Sequence, residues 1–396
     1  TPIFRTAGNG SSVYFLSDAI QFFRMRFFSV LEKSKKSKAR LGVIQTAHGK
    51  ILTPAFVPVA TKGTLKTIPP RELREIGVQT AFVNTFHLTL HPGVEVIQKF
   101  GGIHKYTKLD IPLMSDSAGF QVFSMGRKKM KSREGDEVTL LKIDEKGVLF
   151  RSPREGKEIV FTPELSIKYQ EKIGADIIMA FDECIYYGAS YEYTKEATAR
   201  THQWLLRCIK AQSASRRSRD QHLYGIIQGG VFRDLREQSA QFVAQQKVDG
   251  IAIGGVSVGE TKREMREQLR WVAPYLPGDR PVHLLGVGHM DDILEAVRHG
   301  IDTFDCAEPT RLARNGIVYG KRYERIDLNK SKYLNEKKPV QKGCRCYTCT
   351  EFSLSFLHHL FKEKELLGYY LATYHNLSIF EQLFRKVRES VVNNTI

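Results

Sequence analysis

The sequence predicts an α/β fold: a closed (β/α)8 barrel with an inserted hairpin and a C-terminal metal-bearing addition. Three observations predict it. From about Phe161, short β-branched runs alternate with amphipathic helical stretches, the rhythm of parallel βα units. Polar residues recur where those strands end, which is where a barrel gathers its chemistry. Three cysteines, Cys344, Cys346 and Cys349, crowd into one short segment.

Taken in order, VQTAFVN and IPLMSD read as strands, and the stretch from about Lys128 to Val160 breaks the rhythm with LLKIDEKGVLFRS, a hairpin placed in a βα loop. The segment TPELSIKYQEKIG is a helix with Thr162 as N-cap, Pro163 in the first turn and Gly174 as its stop. Strands ADIIMAF, LYGII, DGIAI, PVHLLGV and GIDTF then alternate with four helices. Seven of the eight strands a closed barrel needs are visible, and the eighth is left open. A doubly wound open sheet gives the same alternation. The repeated polar strand ends favour the barrel. Residues 1–40 read as an extension outside the fold, with Phe22, Phe23, Phe27 and Phe28 interleaved with Arg24 and Arg26. They are either a targeting segment or sequence upstream of a start at Met25. Residues 41–330 are assigned to the barrel and 331–396 to the addition with its helices.

A formal charge of +17 favours a polyphosphate partner through counterion release, although basic residues also simply solubilise surfaces. No apolar run approaches a membrane span, and six unevenly placed cysteines do not make a secreted disulfide framework. A soluble, cytoplasmic protein is expected. Cys344, Cys346 and Cys349 supply three thiolates, and a histidine would close a tetrahedral zinc site with no open position, hence a structural one. His358, His359 and His375 are all within reach. Spacing alone does not choose among them.

SDSAGFQ carries Asp116, FDEC carries Asp182, IIQGG carries Gln228, IAIGG carries Gly254 and Gly255, and GIDTFD ends in Asp305. One aspartate at a strand end is an ordinary N-cap or turn residue. Five polar strand ends at one barrel mouth form a site. A carboxylate there can attack an anomeric carbon and hold a sugar covalently, a second can move protons, and a third with a Gln amide can complement the edge of guanine.

Together SDSAGFQVFS, MAFDEC, GIIQGGVF, IGGVSVGE and FDCAEPTRLARNG resemble the tRNA-guanine transglycosylase family, and the similarity runs from about Leu41 past His375. The resemblance implies a TIM barrel with a zinc subdomain that exchanges guanine at the wobble position of GUN-anticodon tRNAs for a 7-deazaguanine. It implies Asp305 as nucleophile and Asp116 in proton transfer. Asp182, Gln228 and the Gly255 backbone would hold the base, with Phe120 stacking on it. Arg311 and Arg314 would contact the anticodon loop, His375 would be the fourth zinc ligand, and the enzyme would work as a homodimer. Cys184 and Val258 match the bacterial type, which takes 7-aminomethyl-7-deazaguanine (preQ1) rather than queuine. His289, Leu285 and Glu308 depart from the family pattern, and Glu308 puts an unexplained charge beside the nucleophile. The rival readings are an RNA-binding partner subunit without activity, which the presence of Asp116 and Asp305 disfavours, and a zinc-dependent hydrolase, which three clustered thiolates disfavour.

Overall fold

Eight short parallel strands form the barrel that the alternation predicts. A computed structural model describes residues 26–119, 139–151 and 158–396. The chain opens with an antiparallel sheet of β1 (Phe28–Lys33), β2 (Arg40–Thr46) and β3 (Gly49–Thr53). Barrel strands β4 (Ala55–Pro58), β5 (Ala81–Val83) and β6 (Leu113–Ser115) follow. After β7 (Thr139–Asp144), β8 (Gly147–Arg151) and β9 (Glu158–Phe161), the barrel resumes with β10 (Ile177–Met179), β11 (His222–Ile227), β12 (Gly250–Ile253), β13 (Val282–Leu284) and β14 (Thr303–Cys306). The order is β4-β14-β13-β12-β11-β10-β6-β5, and a parallel bridge from Val59 to Phe82 joins its two ends. The strand that the sequence left open is β4.

The predicted helix stops hold. Thr162 Oγ1 accepts from the Leu165 N–H at 3.2 Å, and Gly174 closes the helix Pro163–Ile173 at φ +78°, a conformation that costs glycine little. A capping box of Thr261 and Glu264 starts the helix Lys262–Val272. The inserted hairpin is larger than expected, because β9 adds to β8 as a third antiparallel strand. It docks on the helix Tyr191–Ser213, whose Trp204 Nε1 donates to the Glu145 carbonyl at 3.1 Å.

Residues 28–40, expected outside the fold, lie in it. Phe28 is buried with Ile44 and Ile51 among the lumen residues Val57, Phe82, Met114, Ile177 and Ile226, and the Phe27 ring stacks on His222 at 3.7 Å. The opening sheet therefore plugs the N-terminal end of the barrel. Aromatic residues interleaved with arginines suggested an appendage, but strand alternation sends Phe28 inward.

Arg40 anchors that plug. It is buried, with Nε 2.9 Å and Nη2 2.6 Å from the two Asp302 carboxylate oxygens, and it also donates to the Gly278 and Arg280 carbonyls. Removing one partner leaves the other charge buried and unpaired. Arg40→Ala is expected to lose about 3–5 kcal/mol of stability, read as a lower midpoint in urea unfolding with an unchanged slope. A loss below about 1 kcal/mol would mean that water reaches Asp302.

Candidate active site and metal centre

All eight barrel strands contribute to one cavity of about 230 Å³ at their C-terminal ends. It is lined by Asp116, Asp182, Cys184, Gln228, Gly255, Val258 and Asp305, seven of the residues that sequence alone singled out. Strand geometry brings them together, because each lies at or just after the end of a strand whose side chains alternate between lumen and helices.

The three carboxylates are held differently. Asp116 follows β6, and its Oδ1 accepts the Thr85 N–H at 2.7 Å and the Ala118 N–H at 3.2 Å, while Asn84 Nδ2 donates to Oδ2. Asp182 is buried. Its Oδ1 accepts from Ser117 Oγ at 3.1 Å and its Oδ2 from Gln228 Nε2 at 2.7 Å. Burial pushes its pKa up to about 6, against the two hydrogen bonds, which lower it. Asp305 has one oxygen tied down: Oδ1 accepts the Gly286 N–H at 2.9 Å and lies 3.1 Å from His283 Nε2, and the His283 ring is set by Thr303 at 2.9 Å.

Close packing fixes Gln228 and Gly255. A Cβ on Gly255, which sits at φ +62°, would stand 2.4 Å from Gln228 Oε1, so this position needs glycine. Gln228 Oε1 is buried and has no hydrogen-bond partner among the described residues. Beneath it the buried guanidinium of Arg236 donates to the carbonyls of Gly230, Gly254 and Gly255 and to Gln268 Oε1. Burial lowers the Arg236 pKa to about 10. That clamp ties the ends of β11 and β12 together. Cys184 is a neutral thiol, pushed up to about 12 by burial.

Other expectations meet different outcomes. Phe120 lies outside the described residues. Arg311 and Arg314 stand on the helix Glu308–Arg314 that follows Asp305, off the cavity lining, and Arg314 Nη1 turns back to the Thr310 carbonyl at 2.8 Å. Glu308 forms an ion pair with Arg325, which accounts for its charge beside Asp305. His289 faces Asp291 and Asp292 at 3.7 and 3.9 Å. Leu285 does line the cavity. The sequence reading missed Asn84, Ser117, His283 and Arg236. Asn84 ends a strand like the others and could have been found on that signal.

The ligand atoms of Cys344, Cys346, Cys349 and His375 lie within 4.8 Å of one another, and all four residues are buried. His375 Nδ1 is 3.4 and 3.3 Å from the Cys346 and Cys349 sulfurs, while Nε2 donates to the Tyr319 carbonyl at 2.8 Å. One ring nitrogen thus faces the thiols and the other fixes the tautomer, as a metal-ligating histidine requires. His358 instead bonds the Leu328 carbonyl at 2.7 Å, and His359 is exposed. The cluster can hold a metal ion of tetrahedral, thiolate-rich preference.

Comparison with known proteins decides the family. The queuine tRNA-ribosyltransferase family matches residues 34–396. The chain belongs to this family. Among curated relatives, the queuine tRNA-ribosyltransferase of Herpetosiphon aurantiacus is 45% identical over 93% of this chain and 90% of its own length. That of Caldanaerobacter subterraneus subsp. tengcongensis is 44% identical over 92% and 93%. That of Synechococcus elongatus is 42% identical over 93% and 91%. The family member described here is a glycosyl-transferring enzyme acting on tRNA guanine, and no helix among its described residues is long and apolar enough to cross a membrane.

Two predictions follow from this geometry. The folded-state pKa of Asp182 lies above its ordinary 3.8, so its stability contribution is complete below about pH 4 and is lost as pH rises through about 6. Asp182→Asn should therefore be more stable than wild type by about 1–3 kcal/mol near pH 8 and nearly equal near pH 4, measured by denaturant unfolding at both. Equal stability at the higher pH would place Asp182 in contact with solvent. At the other site, Cys349→Ser should lose bound metal and melt below wild type, because closed metal sites couple binding to folding. Elemental analysis beside a melting curve checks this.

Proposed function

We propose that this enzyme replaces guanine at the wobble position of GUN-anticodon tRNAs with a 7-deazaguanine, favouring preQ1, by double displacement through Asp305. The observation that carries the proposal is the asymmetric tethering of Asp305. Two groups fix Oδ1, and Oδ2 has no hydrogen bond among the described residues. An oriented carboxylate with one free oxygen suits attack on C1′ of the ribose. In that step the bond from C1′ to the guanine nitrogen breaks as an ester to Asp305 forms, and the departing nitrogen takes up a proton from water. The incoming base then gives up its ring N–H proton and displaces the carboxylate. Asp116, oriented by the Thr85 and Ala118 N–H groups and the Asn84 amide, is the acceptor for that proton.

The base edge matches the remaining groups. Guanine presents two adjacent N–H donors and one carbonyl. Asp182 accepts from the donors, while the Gln228 amide and the Gly255 backbone serve the carbonyl, so the base replaces the contact between Asp182 and Gln228. Val258 and Cys184 wall the cavity, which favours a small 7-substituent over queuine's bulk, a modest discrimination by volume alone. Phe120 stacks on the base in this reading, and Arg311 and Arg314 contact the anticodon loop. The Cys344, Cys346, Cys349 and His375 cluster holds one structural zinc per chain, within a subdomain of about residues 331–396 set against the barrel. The resemblance extends the proposal to a homodimer in the cytoplasm.

The test is incorporation of radiolabelled guanine into a GUN-anticodon tRNA. Asp305→Ala and Asp305→Asn should each lower the rate by at least about 10³-fold while keeping tRNA binding in a filter assay. Wild type, unlike the variants, should form a tRNA adduct that survives a denaturing gel. Wild type that binds tRNA but never incorporates label with any base offered would support the inactive partner-subunit reading instead.

A further inference from the structure

At the opposite end of the barrel from the cavity, three elements bring together a second group of ligand-type side chains. His48 sits in the turn between β2 and β3, His104 on the helix Ile103–Thr107, and Asp176 just before β10. His48 Nδ1 lies 2.7 Å from Asp176 Oδ1 and His104 Nε2 lies 3.1 Å from Asp176 Oδ2. The two imidazole rings stack at 3.4 Å between centroids, 8° from parallel. All three ligand atoms fall within 4.8 Å of one another.

We propose that His48, His104 and Asp176 form a second divalent-metal site, separate from the thiolate cluster and remote from the base cavity. Two imidazoles and one carboxylate are a donor set for borderline first-row ions such as zinc, cobalt or nickel. Asp176 supplies the anionic ligand. His104 supplies the observation that separates a metal site from a plain charge clamp. Its side chain is 9% exposed, and Nε2, though 3.1 Å from Asp176 Oδ2, makes no directional hydrogen bond among the described residues. Such a nitrogen is costly unless something else satisfies it, and a bound cation does so through its lone pair. His48 is 36% exposed, which gives an ion a path in and leaves room for water as a further ligand. Three protein ligands with an open position describe an exchangeable site. Its effect is mechanical: the ion ties the plug sheet to the strands whose other ends carry Asp116 and Asp182.

The experiment uses the full chain with its thiolate cluster already loaded with zinc, titrated with Co²⁺ alone. Wild type is expected to take up one additional equivalent of Co²⁺ after desalting, with ligand-field bands in the visible and no sulfur-to-cobalt charge-transfer band. Its melting temperature should rise with Co²⁺ concentration, as mass action requires. His48→Ala, at a half-exposed turn position, and His104→Gln should each lose the extra equivalent, the visible bands and the melting shift, while keeping the zinc and the base-exchange rate. The proposal is overturned if wild type takes up no additional Co²⁺, if the added ion shows thiolate charge transfer, or if the extra equivalent survives in both variants. Failure of base exchange in wild type would bear on Asp305 and leave this site's metal count intact, so the two readings fail separately.

Discussion

Filling of the barrel lumen is the constraint on which the rest depends. Eight strands enclose a space that side chains must occupy to near-crystalline density. Here Phe28, Ile44 and Ile51 enter from the N-terminal end and meet Val57, Met114, Ile177 and Ile226. With the lumen sealed at that end by apolar side chains, polar groups inside the lumen itself meet water or ligand only at the other end. The plug is itself held by a buried ion pair between Arg40 and Asp302, and Asp302 accepts the Val282 N–H at 2.7 Å at the foot of β13. The position of the site is thus a consequence of how the bottom is closed.

Within the cavity, three carboxylates of similar intrinsic acidity are separated by their surroundings. Asp116 accepts hydrogen bonds on both oxygens. Asp182 is buried and shifted toward the neutral form. Asp305 is oriented through a single oxygen. Like groups placed in unlike surroundings are the arrangement by which one site divides its chemistry, and the roles proposed for these three carboxylates follow that division. Arg236 contributes without entering the lining. By gathering the carbonyls of Gly230, Gly254 and Gly255 it sets the distance between Gln228 and Gly255, where no Cβ fits.

Much of this site was legible in the sequence because strand-end residues of a barrel converge wherever they lie in the chain, so Asp116, Asp182, Gln228, Gly255 and Asp305 could be grouped without coordinates. Residues that act only by holding those groups gave no comparable signal. Arg236 lies in the helical run RDLREQ and reads as one more surface charge, and His283 lies inside an apolar strand. The N-terminal boundary was misplaced for a related reason. Composition described Phe27 and Phe28 as unlike the barrel, whereas Phe28 is buried by lumen residues from strands distant in sequence, Val57, Met114, Ile177 and Ile226, which no local pattern reports. Glu308 was puzzling in sequence because its partner, Arg325, sits on the far side of a turn.

The metal cluster and the base cavity are linked through a short chain of contacts. His375 donates through Nε2 to the Tyr319 carbonyl, and the Tyr319 N–H donates to Oδ1 of the next helical residue, Asn376, at 3.1 Å. The Asn376 amide in turn donates to the carbonyls of Pro309 and Ile317, each at 3.0 Å. Pro309 stands in the helix that begins three residues after Asp305 and carries Arg311 and Arg314. A metal ion that fixes the His375 ring therefore also fixes the segment leading away from Asp305. Asn376 is buried, so these hydrogen bonds are not readily exchanged for water, and the order of the helix after Asp305 depends on the order of the thiolate cluster.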